Sequence, residues 1–364
     1  MKLPVVLMIA TTLGLIAPVR SLCAPEIAPD GRVTFRLNAP DARSVALHFE
    51  SDAPVQMTRD AQGVWSATTA AQAPDIYSYS FVVDGVPVLD PANPQMKYNL
   101  VSSQSEVHVP GPATLPWEIN DVPHGVIHRH FYKSGIVGDQ RDFLVYTPPG
   151  YDPAAKQPYP TLYLLHGFSD DATAWSTAGR ANVILDNLIA RGEAKPMLVV
   201  MPLGYGAWDV LIGGYSGPRR PELWEENARK FSDSLLQEVI PQVERLYRAS
   251  PARGDRAIAG LSMGGSQSLM IGLGHLDRFA WVGAFSSGGS RPDLSSLGKD
   301  ANAQLRLLWI ACGRDDGLFA TNQKLHDLLA ANGVNHVWHP TPGIHNFPVW
   351  RRNLAEFVPL LFRN

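Results

Sequence analysis

From Arg32 to about Val109 the chain alternates apolar and polar residues with period two. Val33-Thr34-Phe35-Arg36-Leu37, Val45-Ala46-Leu47-His48-Phe49 and Tyr77-Ser78-Tyr79-Ser80-Phe81-Val82-Val83 each carry one apolar face. Asp60-Ala61-Gln62-Gly63 and Asp84-Gly85 supply turns between such runs. Short alternating strands broken by frequent turns predict a small all-β sandwich. Residues 110–125 then contain four prolines and little periodicity, which predicts a linker or strap. Beyond it the pattern changes class. Apolar runs at Phe143–Tyr146, Thr161–Leu165, Met197–Met201, Ala257–Gly260, Trp281–Phe285 and Leu307–Ala311 are too short for helices and alternate with helical stretches. The clearest predicted helix covers Pro221–Arg248, with Phe231, Leu235, Leu236, Val239, Ile240, Val243 and Leu246 on one stripe. Others are predicted over Met270–Gly274, Phe319–Asn332 and Trp350–Phe362. Buried strands alternating with helices predict a mainly parallel sheet covered on both faces. Gly204 to Pro221 holds five glycines without regular periodicity and is expected to form a substrate-facing loop or lid.

The first residues read as a secretion signal. Lys2 gives a positive start, Leu3 to Ala17 is apolar and uncharged, and small residues follow at Ser21 and at Cys23 or Ala24. The expected organisation is a signal peptide over 1–23, a sandwich over 24–109, a linker over 110–125 and an α/β region over 126–364. Export to the periplasm or beyond is expected, without stable membrane association after cleavage. Removal of Cys23 would leave Cys312 as the only cysteine, so no intramolecular disulfide is expected. Cys312 lies in an apolar strand and reads as a buried small hydrophobe. A formal charge of -3 gives no electrostatic basis for nucleic acid or an anionic membrane. Oligomeric state leaves no signal.

Candidate chemistry centres on Gly260–Gly264, which reads G-L-S-M-G. It follows the apolar run Ala257-Ile258-Ala259 and opens into a helical stretch, the strand–turn–helix setting in which such a pentapeptide exposes a serine nucleophile. Acyl transfer through Ser262 also needs a base, a group to hold that base, and donors for the oxyanion. Chain order Ser, acid, His is met by Asp315 or Asp316 and then by His345, each in a loop after an apolar run. Either aspartate could instead cap the helix that starts near Leu318. His336 and His339 fall inside the preceding strand segment and read as structural. The strand Leu162–Leu165 ends in His166-Gly167-Phe168, where the backbone amides of Phe168 and Met263 are expected to converge on the oxyanion. His166 is expected to anchor this loop. Trp175, Trp208, Tyr215, Phe347 and Trp350 occupy loops between core segments, where aromatic walls would suit an aromatic acyl group. The histidines show no metal-ligand spacing, and no cofactor is expected.

His166-Gly167, the G-L-S-M-G turn with Gly265, the I-A-C-G-R-D-D run of Ile310–Asp316 and the G-I-H-N-F-P-V-W run of Gly343–Trp350 resemble the bacterial feruloyl and acetylxylan esterases of carbohydrate esterase family one. Val145–Tyr151, V-Y-T-P-P-G-Y, is similar to their entry strand. The resemblance implies an α/β-hydrolase fold, Asp316 as the acid, and feruloyl or acetyl groups on plant cell-wall xylan or its oligosaccharides as substrate. The N-terminal stretch, with Trp65, Tyr77, Tyr79, F-V-V-D-G over Phe81–Gly85 and D-P-A-N over Asp90–Asn93, resembles the immunoglobulin-like, starch-binding-type module of glycogen-branching enzymes and isoamylases. Those aromatics sit where a sandwich core is filled, so the resemblance does not imply sugar binding. Enterochelin esterases share the two-region plan. A siderophore substrate would favour a basic entrance, to which Arg219-Arg220 and Arg351-Arg352 could contribute. An acyltransferase and a noncatalytic glycan-binding protein are the remaining alternatives.

Overall fold

The computed structural model describes residues 24–50, 53–217, 220–288 and 301–363. The secretion-signal reading, Cys23 and Arg219 lie outside the described residues. Ten short strands come first: β1 (Glu26–Ile27), β2 (Val33–Asn38), β3 (Val45–Phe49), β4 (Val55–Gln56), β5 (Thr58–Arg59), β6 (Val64–Thr68), β7 (Asp75–Val83), β8 (Val86–Val88), β9 (Met96–Lys97) and β10 (Gln104–Val109). They form two antiparallel sheets, ordered β1-β2-β6-β5 and β4-β3-β7-β10-β9, with β8 on β7. The inward half of each alternating strand closes one apolar core. Val33, Phe35 and Leu37 of β2 and Trp65 of β6 meet Val45, Leu47 and Phe49 of β3 and Tyr79 and Phe81 of β7. Trp65 and Tyr79 are interior and Tyr77 packs on Phe49 with ring centroids 5.4 Å apart, so all three serve packing.

Residues 110–125 are bound throughout. Trp117 is buried, Asn187 Nδ2 donates to the carbonyls of Pro116 and Glu118 at 2.8 Å each, and the Gly125 amide donates to Asp186 at 2.9 Å. The segment is therefore a strap, fastened by two polar residues of helix α1 (Ala181–Ala190).

Eight strands then build one sheet: β11 (Val126–Lys133), β12 (Gln140–Thr147), β13 (Thr161–Leu165), β14 (Leu198–Pro202), β15 (Arg256–Leu261), β16 (Trp281–Phe285), β17 (Leu307–Gly313) and β18 (Val337–Thr341). Their order is β11-β12-β14-β13-β15-β16-β17-β18, with β11 and β12 antiparallel and the rest parallel. This is the α/β-hydrolase arrangement. Strand side chains feed two cores by turns: Leu162 and Leu164 point to the face carrying α1, Tyr163 and Leu165 to the opposite one.

The helix predicted over Pro221–Arg248 runs without a gap to Leu246, but its winding changes part-way. α2 (Pro221–Ser234) passes into a π-turn over Leu235–Val239, where the Ile240 amide reaches back to the Leu235 carbonyl, and α3 (Ile240–Leu246) follows. Pro241 accounts for the change, because it has no amide hydrogen and its ring crowds the carbonyl one turn earlier. The added residue rotates the stripe, and Leu246 ends half exposed. α4 (Met263–Gly274), the short α5 (Ala301–Gln304), α6 (Phe319–Ala331) and α7 (Phe347–Phe357) complete the helices used below.

The sandwich is anchored to α7 by charge. Arg351 is fully buried and holds Asp75, at the start of β7, through Nη2 at 2.7 Å and Nε at 3.0 Å. Arg352 adds a longer contact to the same carboxylate at 3.4 Å. The expectation that this arginine pair lines a basic entrance is thereby corrected: one carboxylate draws both guanidinium groups to the junction.

Candidate active site

The turn after β15 is built by exclusion of side chains. A Cβ on Gly260 would stand 2.6 Å from the Gly264 backbone, and one on Gly264 would stand 2.5 Å from the carbonyl oxygens of Leu165 and His166. Only hydrogen fits, so β15, β13 and the start of α4 approach closely enough to turn the chain within one residue. That residue is Ser262, at φ 52° and ψ -113°. Positive φ is unfavourable for serine and persists only where the surroundings fix it. The turn lifts the hydroxyl off the sheet, beside the N-terminus of α4.

Ser262 Oγ lies 3.0 Å from His345 Nε2, and His345 Nδ1 lies 2.8 Å from Asp316 Oδ2. A carboxylate at Nδ1 keeps the ring proton there and leaves Nε2 to accept from the serine hydroxyl. Asp316 is buried, and its Oδ1 accepts from the Leu318 amide at 2.7 Å. One carboxylate thus fastens the imidazole and opens the turn before α6. Burial pushes the Asp316 carboxyl up, but the His345 ring, the Leu318 amide and the Ser286 hydroxyl together hold it below the usual aspartate range. Asp315, its neighbour, is exposed, and its amide donates to the Gly343 carbonyl at 3.0 Å. Cys312 is buried in β17, where burial and the nearby Asp316 charge push its thiol up to about 12. Such a thiol is inert.

The loop after β13 runs against the serine: a Cβ on Gly167 would lie 3.4 Å from Ser262 Cβ. His166 fixes its start. Nε2 accepts from the Gly204 amide at 2.8 Å and Nδ1 faces the Gly167 carbonyl at 2.8 Å, a neutral tautomer that burial also favours by lowering the ring's affinity for a second proton. Phe168 and Met263 line the same cleft as Ser262 and His345.

That cleft encloses about 1310 Å³. Tyr215 and Trp350 line it; Trp175 and Trp208 do not. Trp175 is interior, its indole donating to the Leu165 carbonyl at 2.9 Å and its ring packed on Phe285 and Phe347. Phe347 is buried as well. Trp208 stacks on Tyr205 at 5.3 Å and donates to Asp139 at 2.6 Å, so a neighbouring ring and a carboxylate claim it. Trp350 meets the His345 ring edge-on at 4.9 Å and 89°. The expected loop over 204–221 contributes Tyr215 and Pro221 to the wall. Lining residues not anticipated from sequence include Trp224 of α2, packed on Phe168 at 5.5 Å, and Lys97 and Asn99 from the sandwich. Trp224 begins a helix whose stripe draws attention to its later residues, and nothing local to Lys97 or Asn99 points across the fold. Charged lining groups nearly cancel, with Lys97 and Arg229 against Asp170, Glu225 and Asp233. Among the described residues no group of three or more His, Cys, Asp or Glu side chains is placed to hold a metal ion, and no helix is long and apolar enough to cross a membrane.

Residues 134–361 match the family model named Esterase and described as "Putative esterase". The chain belongs to the Esterase family. Over 349 residues, 93% of its length, it is 30% identical to an endo-1,4-beta-xylanase/feruloyl esterase of Xylanibacter ruminicola, and it spans 46% of that relative. Among solved structures, the CE1 ferulic acid esterase of Anaeromyces mucronatus matches with a TM-score of 0.59 at 23% identity, over 69% of this chain and 96% of that one. The enterobactin esterase of Shigella flexneri matches with a TM-score of 0.68 at 21% identity, over 92% and 95%. At these identities the likeness of this Esterase family member to both structures is one of fold.

Proposed function

We propose that this chain is a serine esterase that removes feruloyl or acetyl groups from plant cell-wall xylan or its oligosaccharides, and that it is exported and belongs to carbohydrate esterase family one. The observation that carries the chemistry is the unbroken line of bonds from the Ser262 hydroxyl through His345 to the buried Asp316. The Ser262 oxygen attacks the ester carbonyl while His345 Nε2 takes its proton. The resulting imidazolium is held by Asp316, and the negative charge on the former carbonyl oxygen is met by the amides of Phe168 and Met263, at the N-terminal end of α4. As the C–O bond breaks, His345 gives its proton to the departing sugar hydroxyl. Water, activated by the same nitrogen, then releases the acid and restores Ser262.

Aromatic lining supports the feruloyl half of this reading. Phe168, Tyr215 and Trp224 form one cluster, with Phe168 ring centroids 5.8 Å and 5.5 Å from the other two. A flat phenolic acyl group is complementary to such a wall. The xylanase/feruloyl esterase relative, matched over 93% of this chain, supports the same choice. A siderophore esterase fits less well, because the cleft sets two cations against three carboxylates and Arg351 faces Asp75. The N-terminal sandwich, read as a starch-binding-type module, keeps its aromatics for packing.

The test compares methyl ferulate, acetylated xylan and ferric enterobactin as substrates, with Ser262→Ala beside the wild type. Turnover of the first or second, reduced by about 10^5-fold or more in the variant, is expected. Hydrolysis of the siderophore alone would overturn the substrate assignment, and activity surviving Ser262→Ala would overturn the mechanism.

A further inference from the structure

Ser169 follows Phe168 in the loop that faces Ser262, and its φ is 69°. A serine left to itself relaxes out of this left-handed region, so something must hold it there. Part of the restraint is local to the α/β region. The Tyr215 hydroxyl lies 2.6 Å from Ser169 Oγ, and the Tyr205 hydroxyl donates to the Asp170 carbonyl at 3.1 Å. The rest comes from the far side of the junction. The Leu100 amide donates to the Ser169 carbonyl at 2.7 Å. Asn99 Nδ2 donates twice, to Ser169 Oγ at 2.9 Å and to Asp170 Oδ1 at 3.0 Å. Lys97 Nζ stands 4.0 Å from the same aspartate.

Asn99 is built for one orientation. It is buried, and its Oδ1 accepts from the amides of Val101 and Ser102 at 3.0 Å each. The side-chain oxygen is held mainly by its own turn, with a longer contact from the Tyr215 hydroxyl at 3.4 Å, and this aims the amide hydrogens at the loop after β13. Both Asp170 and Ser169 are buried where they receive them.

We propose that Asn99 is a positioning residue of the esterase: through Ser169 and Asp170 it holds the Phe168 amide in place as an oxyanion donor, so the sandwich completes the catalytic geometry. This rests on the serine-esterase reading above. An oxyanion donor works only within about 2.7–3.1 Å of the developing charge, and loss of such placement is felt in the transition state rather than in substrate binding. Freeing a left-handed residue directly after Phe168 rotates the neighbouring peptide planes and carries that amide away.

Asn99→Asp separates the clamp from the turn, since it keeps an acceptor for Val101 and Ser102 and removes both donated bonds. Asn99→Ser is the milder second variant; its hydroxyl can still close the local turn and cannot span to Asp170. Both are made in the full chain and assayed with p-nitrophenyl acetate. A fluorophosphonate counts reactive Ser262, and a boronic acid, which becomes tetrahedral on the serine, probes the oxyanion site. We expect kcat to fall by about 10- to 100-fold with KM changed by less than about threefold, and boronate affinity to fall in parallel with kcat. The fraction of titratable serine stays at the wild-type value, and Tm falls only modestly, more in Asn99→Asp, whose new carboxylate stands beside Asp170, than in Asn99→Ser. A kcat within twofold of wild type in both variants would overturn the proposal. So would a loss of kcat with boronate affinity intact, or one matched by equal losses of titratable serine and Tm, which is the mark of a purely structural role. If the wild type neither hydrolyses the ester nor reacts with the fluorophosphonate, the esterase reading itself fails.

Discussion

The α/β region and the sandwich bury polar groups for different reasons. In the α/β region the polar side chains of the site stand at the carboxyl ends of parallel strands: half-buried Ser262 after β15, and buried Asp316 after β17 and His166 after β13. Strand direction puts them there, because a parallel sheet gathers its loops and amide ends on one rim. The sandwich core is apolar from Val33 to Val109 apart from Asp90, which is buried and accepts from the Tyr79 hydroxyl at 2.6 Å. Its other consequential polar groups lie on the side turned to its neighbour. Asp75 meets Arg351, Asn99 meets Asp170, and Glu50 accepts from Asn346 at 3.0 Å, one residue beyond His345. Burial raises the Glu50 carboxyl above its usual range, a cost that a solitary sandwich would have no cause to bear. The difference teaches where each region's chemistry ends: on the proposed mechanism one supplies the reacting groups and the other holds the loops that carry them.

The sharpest way to break this division is Asp316→Asn. An asparagine keeps an oxygen for the Leu318 amide but offers His345 the wrong partner, favouring the tautomer whose Nε2 carries hydrogen. A loss in kcat of about 10^4-fold is expected, far larger than the modest stability penalty of losing the carboxylate. The exposed Asp315→Asn is expected to leave both quantities at wild-type values. Reversed results for the two aspartates would move the acid by one residue and undo the geometry described above.

Asp75→Ala asks the complementary question. It strands a fully buried guanidinium, a change that typically costs about 3–5 kcal/mol of folding stability. Urea unfolding should show that loss. Because Asp75 touches neither His345 nor Ser169, kcat of the molecules that remain folded should hold. A large fall in kcat without a fall in stability would mean that the junction as a whole, and not Asn99 in particular, governs the site.

How far the sequence reaches follows the same line. Ser262 was legible because its glycines are local requirements of the turn, and alternation exposed the sandwich core residue by residue. The strands from β12 to β17 were legible because burial on both faces makes them apolar runs. β11 was missed: as an exposed edge strand, Val-Ile-His-Arg-His-Phe-Tyr-Lys has no continuous apolar face to announce it. α1 was missed because its buried Asp186 and Asn187, which fasten the strap, interrupt its apolar stripe. Aromatic loop residues were visible as a set, but sequence carries no sign of direction. Trp175 turned inward and Trp350 toward the imidazole. Lys97 and Asn99 were invisible for a deeper reason: their partners lie about seventy positions away, and Asn99 looks locally like any residue that opens a turn.

The smallest expected effect tests whether the two kinds of buried carboxylate differ in sign. Asp170 is pushed above the ordinary aspartate range by burial, which outweighs the attraction of Lys97 and His166 and the Asn99 hydrogen bond. A carboxyl whose folded pKa is raised weakens the fold once ionised. Its cost is absent below the unfolded value of about 3.9, grows as pH rises through the folded value, and is then constant. Asp170→Asn removes that titration, so its stability relative to wild type should climb with pH above about 4 and level off. Asp316 has the opposite sign, because its lowered carboxyl stabilises the fold above the unfolded value and loses that contribution as pH falls through the folded one. The penalty of Asp316→Asn should therefore shrink in acid. Unfolding free energies measured across this range for both variants should give curves of opposite slope. Parallel slopes would mean that the carboxylate clamped by Asn99 and the one bound to His345 are stabilised alike, and the contrast between junction and catalytic rim would fall with them.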